Sequence, residues 1–215
     1  MPKRPVGCPR GDQRWSTFLR NHAQAVIACD FFVAVTATFR LLYVFVVIHH
    51  RSRRLLHFNV TKHPTSAWTL QQLREAVGYE GCHRYLIHDR DSTFARGLDE
   101  SVAKLGLTVL QSPPQSPMAN ATCERVIGTI RREYPDWLIP LSESHLHSIL
   151  KSWRSHYNQG RPHMSLGPGV PDPPATPRLP PRENVGPSLG ERLVVRARPV
   201  SGGLHHECSL AIALA

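Results

Sequence analysis

The sequence predicts a mixed α/β domain built around one central sheet. Residues 23–60 hold three successive runs dense in Val, Ile, Phe and Leu, the composition of buried strands. From there to residue 159, helix-spaced and strand-like segments alternate, the order of a sheet with helices laid on it. Hydrophobic residues make up 41% of the 215, enough for one core of ordinary domain size and too many for wholesale disorder.

Residues 1–22 form a basic N-terminal arm that "RWSTFLRNHA" closes as a short helix. "AQAVIACDFFVAVTATFRLLYVFVVI", residues 23–48, is long and apolar enough to resemble a membrane span. Asp30 and Arg40 interrupt it, and a charge at mid-bilayer is costly. Two strands with a turn near Thr36–Arg40 fit better, and "RRLLHFNV" (53–60) adds a third. "HPTSAW" supplies a proline and a Thr or Ser cap ahead of the helix-spaced "AWTLQQLREAV".

"HRYLIHDRDSTF" reads as a short buried strand, Tyr85 to His88, ending in a charged turn. "ARGLDESVAKLG" is a helix closed by Gly106, and "LTVLQS" is another strand. After the loop "PPQSPMAN" comes a helix through "ATCERVIGTIRRE", which Pro135 should stop near Tyr134. "SESHLHSILKSWRSHYNQ" is a final amphipathic helix. Eight prolines in residues 168–187 make an extended linker, and "ERLVVRARPVSGGLHHECSLAIA" reads as a hairpin turning at Gly202–Gly203. The expected organisation is an arm (1–22), a core (23–167), a Pro-rich linker (168–190) and a C-terminal β extension (191–215).

Twenty-six Lys and Arg against 16 Asp and Glu give a net charge of +10. Residues 1–29 carry +4, residues 30–167 +5 and residues 168–215 +1, so the excess lies in the arm and the core. That balance favours a polyanion, nucleic acid before an anionic membrane. Five scattered cysteines without a C-x-x-C argue against a disulfide framework and a zinc ribbon, and make a reducing cytoplasm the natural compartment. The opening residues have no apolar stretch of the secretory kind.

Three acids stand out by position. Asp30 lies inside an apolar strand, Asp89 ends a buried strand and Glu124 sits on a helix. A carboxylate in a hydrophobic strand costs free energy unless a cation or metal partners it. Each acid alone is more often a salt bridge or a surface turn.

Together they carry a resemblance. "CDFF" around Asp30, "LIHDRDSTF" around Asp89 and "SPMANATCERVIGTIRRE" around Glu124 resemble the D-D-E catalytic cores of insertion-sequence transposases and retroviral integrases. Thirty-four residues separate Asp89 from Glu124, and "HYNQGRPHMSLG" (156–167) is similar to the segment that follows this core in many bacterial transposases. The likeness runs from about Trp15 to Gly167.

The resemblance implies an RNase H-like fold, a central mixed sheet flanked by helices with the acids gathered at one edge. It implies DNA cleavage and strand transfer with two Mg²⁺ or Mn²⁺ ions, held about 3.5–4 Å apart in such sites. Asp30 would bridge both ions, while Asp89 and Glu124 would each serve one. Hard cations of this kind take oxygen ligands and retain waters, so three carboxylates suffice. Double-stranded DNA, both element ends and target, is the implied partner, with self-association of the chain. No membrane or small-molecule substrate is implied, and the implied location is the bacterial cytoplasm, at the nucleoid.

The resemblance also marks candidate DNA contacts. Arg131 lies two helical turns beyond Glu124 on nearly the same face, with Arg132 beside it. A phosphate contact and a solvated helix face are almost equal readings of Arg131. Arg53 and Arg54, in "HHRSRR", stand either against DNA backbone or in a solvated turn. Asn120 matches a position often Asn in these transposases, ordering the loop or capping the helix. His156 and Tyr157 read as packing residues. For zinc, His22, Cys8 and Cys29 lack ligand spacing, and neighbours in "LHHEC" point to opposite faces of a strand.

Full-length relatives usually begin with a helix-turn-helix region, for which the arm here is too short. The alternatives to a transposase core are therefore an RNase H-fold nuclease without strand transfer, and a non-catalytic fragment that binds DNA or a full-length partner.

Overall fold

A computed structural model of the chain describes residues 11–78, 82–89, 96–111, 120–133, 138–167, 169–173, 193–200, 203 and 205–212. The first part of the arm, the turn after Asp89, the loop before Asn120, the Pro135 break and most of the Pro-rich linker lie outside them. The chain divides into two compact units, Met1–Leu146 and His147–Ala215.

The first unit opens with helix α1 (Gly11–His22). Strands β1 (Val26–Val35) and β2 (Leu41–His49) then pair antiparallel from Ile27↔His49 to Val35↔Leu41. The apolar stretch 23–48 is thus a hairpin, and no helix among the described residues is long and apolar enough to cross a membrane. Strand β3 (Leu55–Thr61) follows antiparallel to β2. Helix α2 (Ser66–Val77) starts where Thr65 Oγ1 accepts the Trp68 N–H at 3.2 Å. Strand β4 (Tyr85–His88), helix α3 (Arg96–Ala103), strand β5 (Thr108–Gln111) and helix α4 (Ala121–Glu133) complete the alternation. Gly106, at φ +82°, takes the left-handed conformation that closes the α3 end.

The sheet order is β3-β2-β1-β4-β5, with β4 parallel to β1 and to β5. This mixed five-stranded arrangement is the RNase H-like fold. Ile27 and Cys29 of β1 join Phe45, Val47, Leu73, Leu86 and Leu98 in the core on the α2–α3 face. Side chains alternate along a strand, so Ala28, Asp30 and Phe32 point to the other face. There α4 lies against β1 and β2, burying Cys123, Val126, Ile127 and Ile130.

Helix α5 (Glu143–Ser155) runs into the second unit. The expected helix through Gln159 is corrected here: α geometry ends at Ser155, and His156–Gly160 form a wider π turn closed by Arg161 N–H donating to His156 O. Pro162 disfavours helical backbone at Arg161, which is extended (φ −90°, ψ 117°). Strands β6 (Leu193–Val200) and β7 (His205–Ile212) form the expected C-terminal hairpin. His156 Nδ1 meets Glu207 Oε1 of that hairpin at 3.0 Å.

Candidate active site

Strand β1 carries Asp30 at mid-length, opposite Val46 of β2 and two residues beyond Ala28, the last residue paired with β4. Its Oδ1 accepts the Phe31 N–H at 2.7 Å. Asp89 follows the last residue of β4, the parallel neighbour of β1, and is half-buried like Asp30. Glu124 stands in the first turn of α4, exposed. Sheet order therefore puts Asp30 on β1, Asp89 just past the end of its neighbour β4, and Glu124 on the helix that contacts β1.

One buried group senses all three. The Cys123 thiol, on α4 and fully enclosed, is pushed well above the usual thiol range, first by burial and then by the charges of Asp30, Cys29, Glu124 and Asp89. The Cys29 thiol is likewise raised, by burial and then by Asp30. Both cysteines are thereby thiols at neutral pH and serve as buried packing residues. Among the described residues no three His, Cys, Asp or Glu side chains form a ready-made ion cage. The donor set of the three acids is nevertheless all hard oxygen, the chemistry that suits Mg²⁺ or Mn²⁺. Asn120 Oδ1, buried and without a hydrogen-bond partner among the described residues, adds an oxygen acceptor beside β1.

Asn120 is 2% exposed, and its Nδ2 donates to the Cys29 carbonyl at 3.3 Å. Its main-chain carbonyl accepts the Cys123 and Glu124 N–H groups at 2.9 and 3.1 Å. A DNA contact by Asn120 is therefore corrected to an ordering role: the side chain faces the strand, and the backbone opens the helix.

The four arginines divide. Arg131 is exposed, with its guanidinium 5.9 Å from the centre of the Phe32 ring, two residues beyond Asp30 on the same strand face. Arg132 and Arg54 are exposed. Arg53 is half-buried and donates from Nη1 to the Thr122 hydroxyl of α4, so its guanidinium is turned into the protein. Thr122 and Cys123 are the site neighbours that sequence reasoning passed over; neither residue type signals a site.

Comparison with solved structures shows which known folds this one resembles. The catalytic domain of Mos1 transposase, solved with Raltegravir and Mg, superposes with a TM-score of 0.57 at 15% identity, covering 67% of this chain and 78% of that one. The HTLV-2 integrase catalytic core, solved with magnesium in a dimeric form, gives 0.53 at 14% identity, covering 69% and 93%. The fold is that of an integrase or transposase catalytic core. Sequence agrees over part of the core, since residues 105–171 match the integrase core domain family. That match contains Glu124 and the 156–163 segment, while Asp30 and Asp89 precede it. An insertion element IS476 uncharacterized 39.2 kDa protein from Xanthomonas euvesicatoria is 26% identical over 168 residues, 77% of this chain. The chain spans about half of that relative's length, 46%.

Proposed function

We propose that this core cleaves DNA phosphodiesters and joins DNA strands, as the catalytic part of an insertion-sequence transposase, with Asp30, Asp89 and Glu124 holding Mg²⁺ or Mn²⁺. The observation that carries the reading is the topology: Asp30 lies on β1, Asp89 directly follows the parallel neighbour β4, and Glu124 stands in the first turn of the helix packed against β1. A divalent ion would share the like charges of these acids. A bound divalent ion would supply stabilisation of charge on the entering and leaving oxygens of an in-line displacement.

The protein's own contribution is placement and phosphate binding. Asp30 comes from a strand paired along its length with β2, and on its other side with β4 up to Ala28. Asp89 leaves the neighbouring strand at its C-terminal end, and Glu124 stands in the first turn of α4, from which it would complete the set. Arg131, exposed and over the Phe32 ring, would bind a DNA phosphate, with Arg132 and Arg54 adding cationic surface. The net charge of +10 favours duplex DNA at any sequence. Water or a DNA 3′-hydroxyl is the attacking group.

The magnesium named with both solved relatives supports the choice of ion, and the dimeric form named for one supports self-association of this chain. Action on DNA puts the protein in the bacterial cytoplasm, at the nucleoid. The test is Mn²⁺-dependent nicking and joining of a labelled duplex by wild type and Glu124→Gln. Activity lost in the variant upholds the proposal. Nicking without joining would favour a simple nuclease. A folded, DNA-binding protein inactive in both forms would favour a non-catalytic fragment.

A further inference from the structure

We infer that the turn between β2 and β3 is a positioning device for α4, in which Arg53 and His50 converge on the Thr122 hydroxyl and set where Glu124 stands relative to Asp30. This rests on the three-acid reading above.

Arg53 Nη1 donates to Thr122 Oγ1, and that oxygen lies 3.3 Å from His50 Nδ1. Having accepted from the guanidinium, the hydroxyl has its own hydrogen to give, and His50 Nδ1 receives it. His50 suits that role at neutral pH: burial, then Arg53, then His49 lower its pKa to about 4. The imidazole is therefore an acceptor, and a three-member chain runs from guanidinium to hydroxyl to ring.

The turn is built to hold this geometry. Arg53 sits at φ +61°, a left-handed conformation that a side chain disfavours. Strain of that kind persists only where the surroundings over-determine it. Here Arg53 N–H donates to His49 O at 3.0 Å and His49 N–H to Arg54 O at 2.9 Å. His49 Nδ1 accepts the Ser52 N–H at 3.2 Å, which leaves its Nε2–H to donate to Gln24 O at 2.9 Å, just before β1.

The first turn of α4 is consequently tied twice, through Asn120 to β1 and through Thr122 to the β2–β3 turn. Glu124 follows Thr122 by two residues. An exposed acid at the start of a helix would otherwise share the fraying of that end. Arg53 is thus a positioning residue, and its basic character serves α4 rather than DNA.

Amide hydrogen exchange and Mn²⁺ binding, measured on the full chain, test this. Thr122→Val keeps shape and removes the hydroxyl, Thr122→Ser keeps the hydroxyl, and Arg53→Met removes the donor from the other side. The expected result is about tenfold faster exchange over residues 121–126 in Thr122→Val and Arg53→Met, with Thr122→Ser close to wild type. Mn²⁺ affinity should fall several-fold in the same two variants. Unchanged exchange in both, with normal Mn²⁺ binding by wild type, overturns the inference and leaves the metal-site reading intact. Faster exchange with no Mn²⁺ bound by any form upholds the seating of α4 and overturns the metal-site reading instead.

Discussion

Asn120 donates its side-chain amide to the carbonyl of Cys29, a residue 91 positions earlier, across 3.3 Å of buried space. The bond joins the start of one acid-bearing helix to the strand position next to Asp30. Neither partner carries the proposed chemistry, yet the contact fixes how two proposed ligands approach each other. Asn120→Ala should cost about 1–2 kcal/mol, because it strands a buried carbonyl. A melting experiment would register that as a drop of several degrees, about 2–4 °C per kcal/mol for a chain of this size. Weaker Mn²⁺ binding should accompany it.

Arg131 distinguishes a phosphate contact from a solvated helix face. Arg131→Ala should weaken duplex binding without regard to sequence and reduce the slope of log affinity against log salt by about one. Arg131→Lys should preserve most of the slope, since a point charge suffices for a phosphate. A slope unchanged in Arg131→Ala would return the residue to ordinary surface, stacked on Phe32 and no more.

The histidine near Thr122 makes stability depend on pH in a stated direction. His50 titrates at 6.5 when unperturbed and at about 4 in the fold. Between those values the unfolded chain binds the proton and the folded chain does not, so stability is full above pH 6.5 and is lost as pH falls toward 4. His83 and His205, also lowered chiefly by burial, act in the same direction. Urea unfolding at a series of pH values should show the decline, and His50→Gln should flatten it.

A control lies on α2. Thr65→Ala removes the side-chain cap on Trp68 N–H and should cost about 1 kcal/mol of stability. Since α2 covers the opposite face of the sheet from Asp30, Mn²⁺ binding and DNA affinity should not move. Loss of either would mean that the site responds to stability in general.

Those contrasts show why some of this protein could be read from sequence and some could not. β-Branched and aromatic runs marked β1 and β2, and Thr65 marked the α2 start, because local propensity and capping act over a few residues. Asp30 was conspicuous because a charge inside an apolar strand conflicts with its surroundings. The inward turn of Arg53 was not legible: its partner Thr122 is 69 residues away, and an arginine at φ +61° has no glycine to advertise the turn. The ordering role read for Asn120 agrees with the structure, while its inclusion among DNA contacts fails because only the packed fold shows that its side chain is buried against Cys29. The π turn at His156–Gly160 escaped because its amphipathic spacing continues that of α5.

The central claim is that Asp30, Asp89 and Glu124 form one divalent-metal centre. Its most direct test is Mn²⁺ titration followed by electron paramagnetic resonance, comparing wild type with Asp30→Asn, Asp89→Asn and Glu124→Gln, each first shown to melt cooperatively. The prediction is saturable Mn²⁺ binding by wild type that each substitution weakens at least tenfold, Asp30→Asn most of all. Binding by all three variants at wild-type affinity would contradict the claim.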